Sequence, residues 1–264
     1  MDVTEVLTDL LAEQEALDVI VAPLGAEQLA LATPSPRWTV ADQLAHLTYF
    51  DNNAALAIED PDAFQQTITA LFEAAVGGDD AIDEFVLGAW RHLAPAELLA
   101  GWRAGRRRLA DAAATLADDT RIAWYGPSMG AKSFLTARLM EVWAHGQDII
   151  DTVGAERPAT DRLRHIAQLG YITRKWSYVN RRLEPPVGDV HVTLTAPSGE
   201  TWTWGEDDEN RVSGPALDFC LVVTQRRHVD DTALVVEGDR ARDWLIRAQA
   251  FAGPATDGPA PRGN

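Results

Sequence analysis

The spacing of apolar residues changes once along this chain, at Pro185-Pro186, and that change limits the fold more than any other feature. Before it, apolar side chains recur at helical intervals, as in Val3, Val6, Leu7, Leu10, Leu17 and Val21, which places them on one face of a helix. After it, Val190-His191-Val192-Thr193-Leu194-Thr195 alternates with β-branched residues, the two-residue period of a half-buried strand. The expected organisation is a helical domain over residues 1–184, a small α+β domain over 185–252 and a frayed tail over 253–264.

Prolines and glycines divide the helical part. Pro23 and Gly25 stop the first helix. Thr39 with Asp42 three residues on reads as a capping box, opening a second helix to about Ile58. Asp60-Pro61 ends it, and Gly77-Gly78-Asp79-Asp80 splits the stretch that follows. Pro95 with Glu97 opens a helix to about Leu116, another runs from about Ser133 to Val153, and a fifth follows Pro158 and reaches Leu183. Long helices with short connections suggest an antiparallel bundle. Beyond Pro186, Pro197-Ser198-Gly199 reads as a hairpin turn returning through Thr201-Trp202-Thr203-Trp204. A helix after Pro215, a short strand at 232–236 and a helix from Arg240 to Ala250 complete this part.

Charge and cysteine content exclude several functions. The chain carries 40 acidic and 23 basic residues, a net charge of −17, with 27 acids against 16 bases up to residue 184 and 13 against 7 beyond it. A basic face for displacing counterions from nucleic acid is absent from both parts, and Arg103, Arg106, Arg107 and Arg108 read as a solvated helix face. The single Cys220 lies in the apolar run Phe219–Val223. It reads as a small buried hydrophobe, and one cysteine permits neither an intrachain disulfide nor a thiolate-only metal site. No apolar run approaches the 18 residues of a membrane span, and the acidic start lacks the basic region of a signal peptide. A cytoplasmic protein, monomeric or homodimeric, is the expectation.

The histidines carry the chemistry. Glu141 and His145 are four apart, about 40° in helical projection and one turn in height. Their face adjoins the apolar stripe of Leu135, Leu139, Val142, Ile149 and Val153. On spacing alone such a pair reads as a surface polar pair before it reads as a metal site. Beside a buried seam, however, an imidazole and a carboxylate need a partner, because burying them unpaired is costly, and a divalent metal provides one. His46, at the border of the stripe Val40, Leu44, Leu47, Ala54 and Ile58, is the candidate third ligand, although alone it reads as a hydrogen-bonded core histidine.

The segment Trp38-Thr39-Val40-Ala41-Asp42-Gln43-Leu44-Ala45-His46-Leu47 resembles the signature of DinB-like (YfiT-like) metalloproteins. The Glu-x-x-x-His form of the later pair, 95 residues beyond His46, is similar to mycothiol-dependent maleylpyruvate isomerase and its actinobacterial relatives. The resemblance implies a four-helix metal-binding bundle joined to a C-terminal α+β domain related to sterol-carrier proteins. Gly199-Glu200-Thr201-Trp202 and the apolar helix Phe219 to Arg226 look like that domain's hairpin and helix. It further implies His46, Glu141 and His145 as metal ligands, and mycothiol as a thiol that the metal activates for addition to substrate.

Three protein ligands leave an open position, the pattern of catalytic zinc, and two nitrogens with one oxygen suit Zn2+ while admitting Ni2+, Fe2+, Co2+ or Mn2+. The leading expectation is a metal-dependent isomerase or thiol transferase acting on a small molecule. A hydrolase using metal-bound water, or a non-catalytic metal-binding stress-response protein, are the alternatives. Asp148, three beyond His145, reads as an acceptor orienting that ligand or as a solvated carboxylate. Asp51 falls oddly among apolar positions and could face the pocket. Arg226, Arg227 and His228 form a cationic group, either a solvated turn or a site for an anionic substrate or thiol cofactor.

Overall fold

The structure, a computed structural model, describes residues 2–263. The chain divides into two compact units, Met1–Arg157 and Pro158–Asn264.

The first unit is helical. α1 (Val3–Val21) opens with a reciprocal cap in which Asp2 and Glu5 each accept the other's backbone N–H. A short α2 (Ala26–Leu29) leads through an extended loop to α3 (Val40–Glu59), whose start is the expected box: Thr39 Oγ1 accepts from Asp42 N at 3.3 Å and Asp42 accepts from Thr39 N at 2.9 Å. α4 (Pro61–Ala75) and α5 (Asp79–Leu87) follow, then α6 (Pro95–Ala113), both α4 and α6 carrying proline where a helix has no N–H to lose. A hairpin of two-residue strands, β1 (Arg121–Ile122) and β2 (Met129–Gly130), precedes α7 (Ala131–Val153). Helices α1, α3, α6 and α7 form the bundle: α3 packs on α6 and α7, and α1 packs on α7 and α6. Their buried stripes, among them Leu10, Leu17, Leu44, Leu47, Trp102, Leu109, Leu135 and Leu139, fill the core. Arg103 and Arg106 are not a solvated face, since both guanidiniums reach the buried Asp18 of α1, at 2.5 Å and 2.6 Å.

The second unit holds a four-stranded sheet. The single helix expected to reach Leu183 is two, α8 (Leu163–Ile172) and α9 (Arg174–Val179). At the break, the Thr173 hydroxyl reaches back to the Leu169 and Gly170 carbonyls, competing with the helical ladder. β3 (His191–Thr195) and β4 (Thr201–Trp204) form the expected hairpin around Gly199, whose φ of 89° suits a residue without a side chain. The parallel partner of β3 is β5 (Arg211–Pro215), which sequence reading missed because Gly214-Pro215 looks like a turn. It runs straight into α10 (Ala216–Val223). β6 (Val235–Glu237) begins later than expected because the Thr232 hydroxyl closes onto the Val229 carbonyl, and α11 (Asp239–Arg247) follows. The sheet order is β4-β3-β5-β6. Packing thus divides the chain at 157/158, ahead of the change in apolar period at 185, because α8 lies on α10 with the Gly170 backbone against Val223. Residues 253–263 adopt no helix or strand, and Thr256 Oγ1 reaches Gln225 there. Among the described residues no helix is long and apolar enough to cross a membrane.

Candidate metal centre

His46 projects from the second turn of α3, whose rotation about its axis is set by the Thr39 cap and the fully buried Val40, Leu44 and Leu47. Glu141 and His145 project from the middle of α7, where Leu139, Val142 and Ile149 are buried. Packing α3 on α7 brings the three together. One donor atom from each lies within 4.8 Å of the others. The Glu141 Oε2 is 3.0 Å from His145 Nε2 and 3.7 Å from His46 Nε2, and the imidazole centroids are 4.3 Å apart. The side chains of His46, His145 and Glu141 are 15%, 12% and 23% exposed, so the group is sheltered yet reachable from solvent.

Aromatic rings wall the group. Trp38 lies 5.0 Å from His46 and stacks on His145 at 5.9 Å, and Phe50, one turn beyond His46, lies 4.6 Å from it. The β1–β2 loop adds Tyr125 and Trp124 against Phe50, at 5.5 Å and 6.4 Å. That gives the small hairpin, which the sequence does not announce, a place in the wall of the site. Burial, reinforced by the neighbouring His145, lowers the His46 pKa to about 3, so this ring is neutral at physiological pH and its lone pair is free for a cation. Burial works to raise the Glu141 carboxyl, but the imidazoles of His145, 3.0 Å away, and His46, 3.7 Å away, outweigh it and hold the group ionised.

The donor set fits a divalent cation on this structure's own terms. His145 faces an acceptor at both nitrogens, Gln43 Oε1 at 2.6 Å from Nδ1 and Glu141 Oε2 at 3.0 Å from Nε2. The neutral His46 turns its Nε2 toward the same carboxylate at 3.7 Å. Two ring nitrogens and a carboxylate oxygen from two helices thus converge, the donor chemistry of a divalent-cation site.

The other sequence candidates have partners of their own. Asp148 does not reach His145; it is buried and accepts from the Ser35 hydroxyl at 3.2 Å, while Gln43 takes the ring nitrogen that was its expected partner. Asp51 is fully buried and accepts from Arg138 Nη2 at 2.8 Å and from Gln14. Its carboxylate is the counter-ion of Arg138, not a group facing a pocket. In the second unit, Arg226 donates to the Thr224 carbonyl, Arg227 to the Arg226 carbonyl, and His228 Nδ1 accepts from Asp230 N. Sequence reading missed Gln43 and Arg138. Each stands three residues before a candidate ligand, His46 and Glu141, and helical spacing of three puts both on the ligand's own face. A separate cleft of about 430 Å³ opens at the start of α3, lined by Leu29, Thr39, Asp42, Arg91 and His92, and holds none of the three donors.

Residues 10–150 match the family model of the mycothiol maleylpyruvate isomerase N-terminal domain. Over 250 residues the chain is 45% identical to two uncharacterized proteins of Mycobacterium tuberculosis, Rv0036c of strain H37Rv and MT0041 of strain CDC 1551 / Oshkosh, covering 94% of this chain and 95% of each relative. Among solved structures, mycothiol-dependent maleylpyruvate isomerase superposes with a TM-score of 0.55 at 19% identity, covering 86% of this chain and 90% of that one. An alanine mutant of the same enzyme superposes at 0.56 and 18% over the same shares. At those identities the likeness establishes the two-part α+β fold.

Proposed function

Because the chain belongs to the mycothiol maleylpyruvate isomerase N-terminal domain family, we propose that it is an enzyme using mycothiol as a thiol cosubstrate, with His46, Glu141 and His145 holding one divalent cation. Zinc suits two imidazole nitrogens and one carboxylate oxygen, and nickel, iron, cobalt and manganese accept the same set. Bound there, the cation supplies Lewis acidity that stabilises a thiol as its thiolate near neutral pH.

The residues of this chain do the remainder. His46 and His145 contribute neutral donors, and Glu141 the single negative charge, so the loaded site keeps a net positive charge to attract a thiolate. Trp38, Phe50 and Tyr125 exclude water on one side and offer an apolar wall to the organic part of a substrate. In the isomerase reading, the thiolate sulfur bonds to one carbon of an activated double bond. The resulting single bond rotates, and the sulfur leaves with its electron pair, so the thiol is regenerated and no atom is gained. The substrate class is a small unsaturated or otherwise electrophilic molecule. The observation that carries this reading is the convergence of two imidazole nitrogens and a carboxylate oxygen within 4.8 Å of one another.

The test is elemental analysis of protein purified without chelator, followed by assays with unsaturated acids in the presence and absence of mycothiol. One metal per chain, lost in Glu141→Gln and His145→Ala, with turnover at least tenfold higher with mycothiol, is the expected result. Equal turnover without thiol favours hydrolysis, with water as the nucleophile. Absence of metal, together with helix stability indifferent to chelator, overturns the reading.

A further inference from the structure

In the neutral form of the His145 ring the two acceptors compete for one proton, and the hydrogen bonds around Gln43 indicate which receives it. Gln43 is fully buried, and its amide is oriented from its far end. The Trp38 carbonyl can only accept, and the Thr33 hydroxyl donates to it at 2.9 Å. That hydroxyl oxygen therefore accepts from Gln43 Nε2 at 2.9 Å. With its NH2 committed to Thr33, the amide presents its oxygen to His145 Nδ1 at 2.6 Å, a shorter contact than the 3.0 Å between Nε2 and Glu141.

We propose that Gln43 is a positioning residue through which the Trp38 carbonyl, by way of Thr33, holds the proton of His145 on Nδ1 and leaves the Nε2 lone pair facing Glu141 and His46. Carboxylates are common partners of metal-binding imidazoles and raise their basicity. An amide orients the ring equally well but adds no charge, so a cation held here stays more electrophilic than one backed by a carboxylate. This second statement rests on the metal reading above; the proton placement does not.

The proton is located by long-range 1H–15N correlation on metal-free protein at about pH 9, where imidazole is neutral, with the His145 signals identified by their loss in His145→Gln. The wild type is expected to carry the proton on Nδ1. Gln43→Leu moves it to Nε2, toward Glu141, and Gln43→Glu returns it to Nδ1. Thr33→Val, which releases the amide, gives a mixture of the two forms and serves if Gln43→Leu does not fold. A wild-type proton on Nε2, or an unchanged proton in Gln43→Leu, overturns the placement. In parallel, Co2+ titration is expected to show affinity about 10- to 100-fold weaker in Gln43→Leu and stronger than wild type in Gln43→Glu. Equal affinities in all three overturn the second statement. A wild type that takes no Co2+ overturns the metal reading and leaves the proton result intact.

Discussion

At the scale of single residues, the site rests on polar groups that helical periodicity alone would assign to the core. Asp51 and Arg138 are the clearest pair, 0% and 3% exposed, joined at 2.8 Å and 3.2 Å, with the guanidinium 6.0 Å from the Phe50 ring that flanks His46. Burial raises the Asp51 carboxyl, and Arg138 opposes that shift. Arg138→Met therefore strands a buried acid, and breaking such a pair costs about 3–5 kcal/mol. Adding Asp51→Leu removes the stranded charge and is expected to restore most of the loss in urea unfolding, whereas two independent surface sites would give additive losses. His46, Glu141 and His145 were legible as a group because the Trp38–Leu47 segment and the Glu-x-x-x-His pair resemble motifs of a known family, whereas spacing alone left a surface pair and a core histidine. Asp51 with Arg138, and Gln43 with His145, were not, because each pairing joins α3 to α7 and only the packing of those helices tells which polar residues meet.

At the scale of elements, boundaries followed local chemistry where a cap or proline declared them and shifted where a side chain intervened. The Thr39 box and the Pro61 and Pro95 starts were readable in the sequence, while the Thr173 break turns on one hydroxyl bonding back within its own helix and the glycine-containing strand β5 depends on β3, distant in the chain. Contacts between elements make two predictions. α1 is tied to α6 through Asp18, whose carboxyl is held below its usual value chiefly by the hydrogen bond from Arg103. A depressed carboxyl stabilises the fold above the unfolded pKa of about 3.9, and that contribution disappears as pH falls through the folded value. Asp18→Asn is thus expected to lose about 1–3 kcal/mol at pH 7, with the gap to wild type narrowing below about pH 4; a gap constant with pH would contradict this. α8 meets α10 at Gly170, where an added Cβ would lie 2.7 Å from Val223 Cγ2 and 2.9 Å from its Cβ. Gly170→Ala should cost about 1–3 kcal/mol through overpacking, and Val223→Ala in the same chain should relieve part of it. Thermal unfolding of the four-member cycle measures that coupling.

At the scale of the whole molecule, the division of labour follows from where each part of the site resides. His46, Glu141 and His145 all belong to the first compact unit, as do Gln43, Thr33, Trp38 and the hairpin that carries Trp124 and Tyr125. The matched family region, residues 10–150, lies inside the same unit. The bundle also closes on itself, since α1 packs on α7, α7 on α3, α3 on α6, and α6 on α1. The three donors are therefore carried by helices that all lie within residues 1–157. A fragment of residues 1–157 is expected to fold cooperatively, with the helical circular dichroism of the bundle, and to bind Co2+ within about tenfold of the intact chain, a difference of about 1.4 kcal/mol. A fragment that folds but binds no Co2+, while the intact chain does, would mean that the second unit supplies a donor. A fragment that stays unfolded would mean that the bundle core is incomplete without α8 and α9, the helical segment that the sequence places before the change in apolar period at residue 185 and that packing assigns to the sheet.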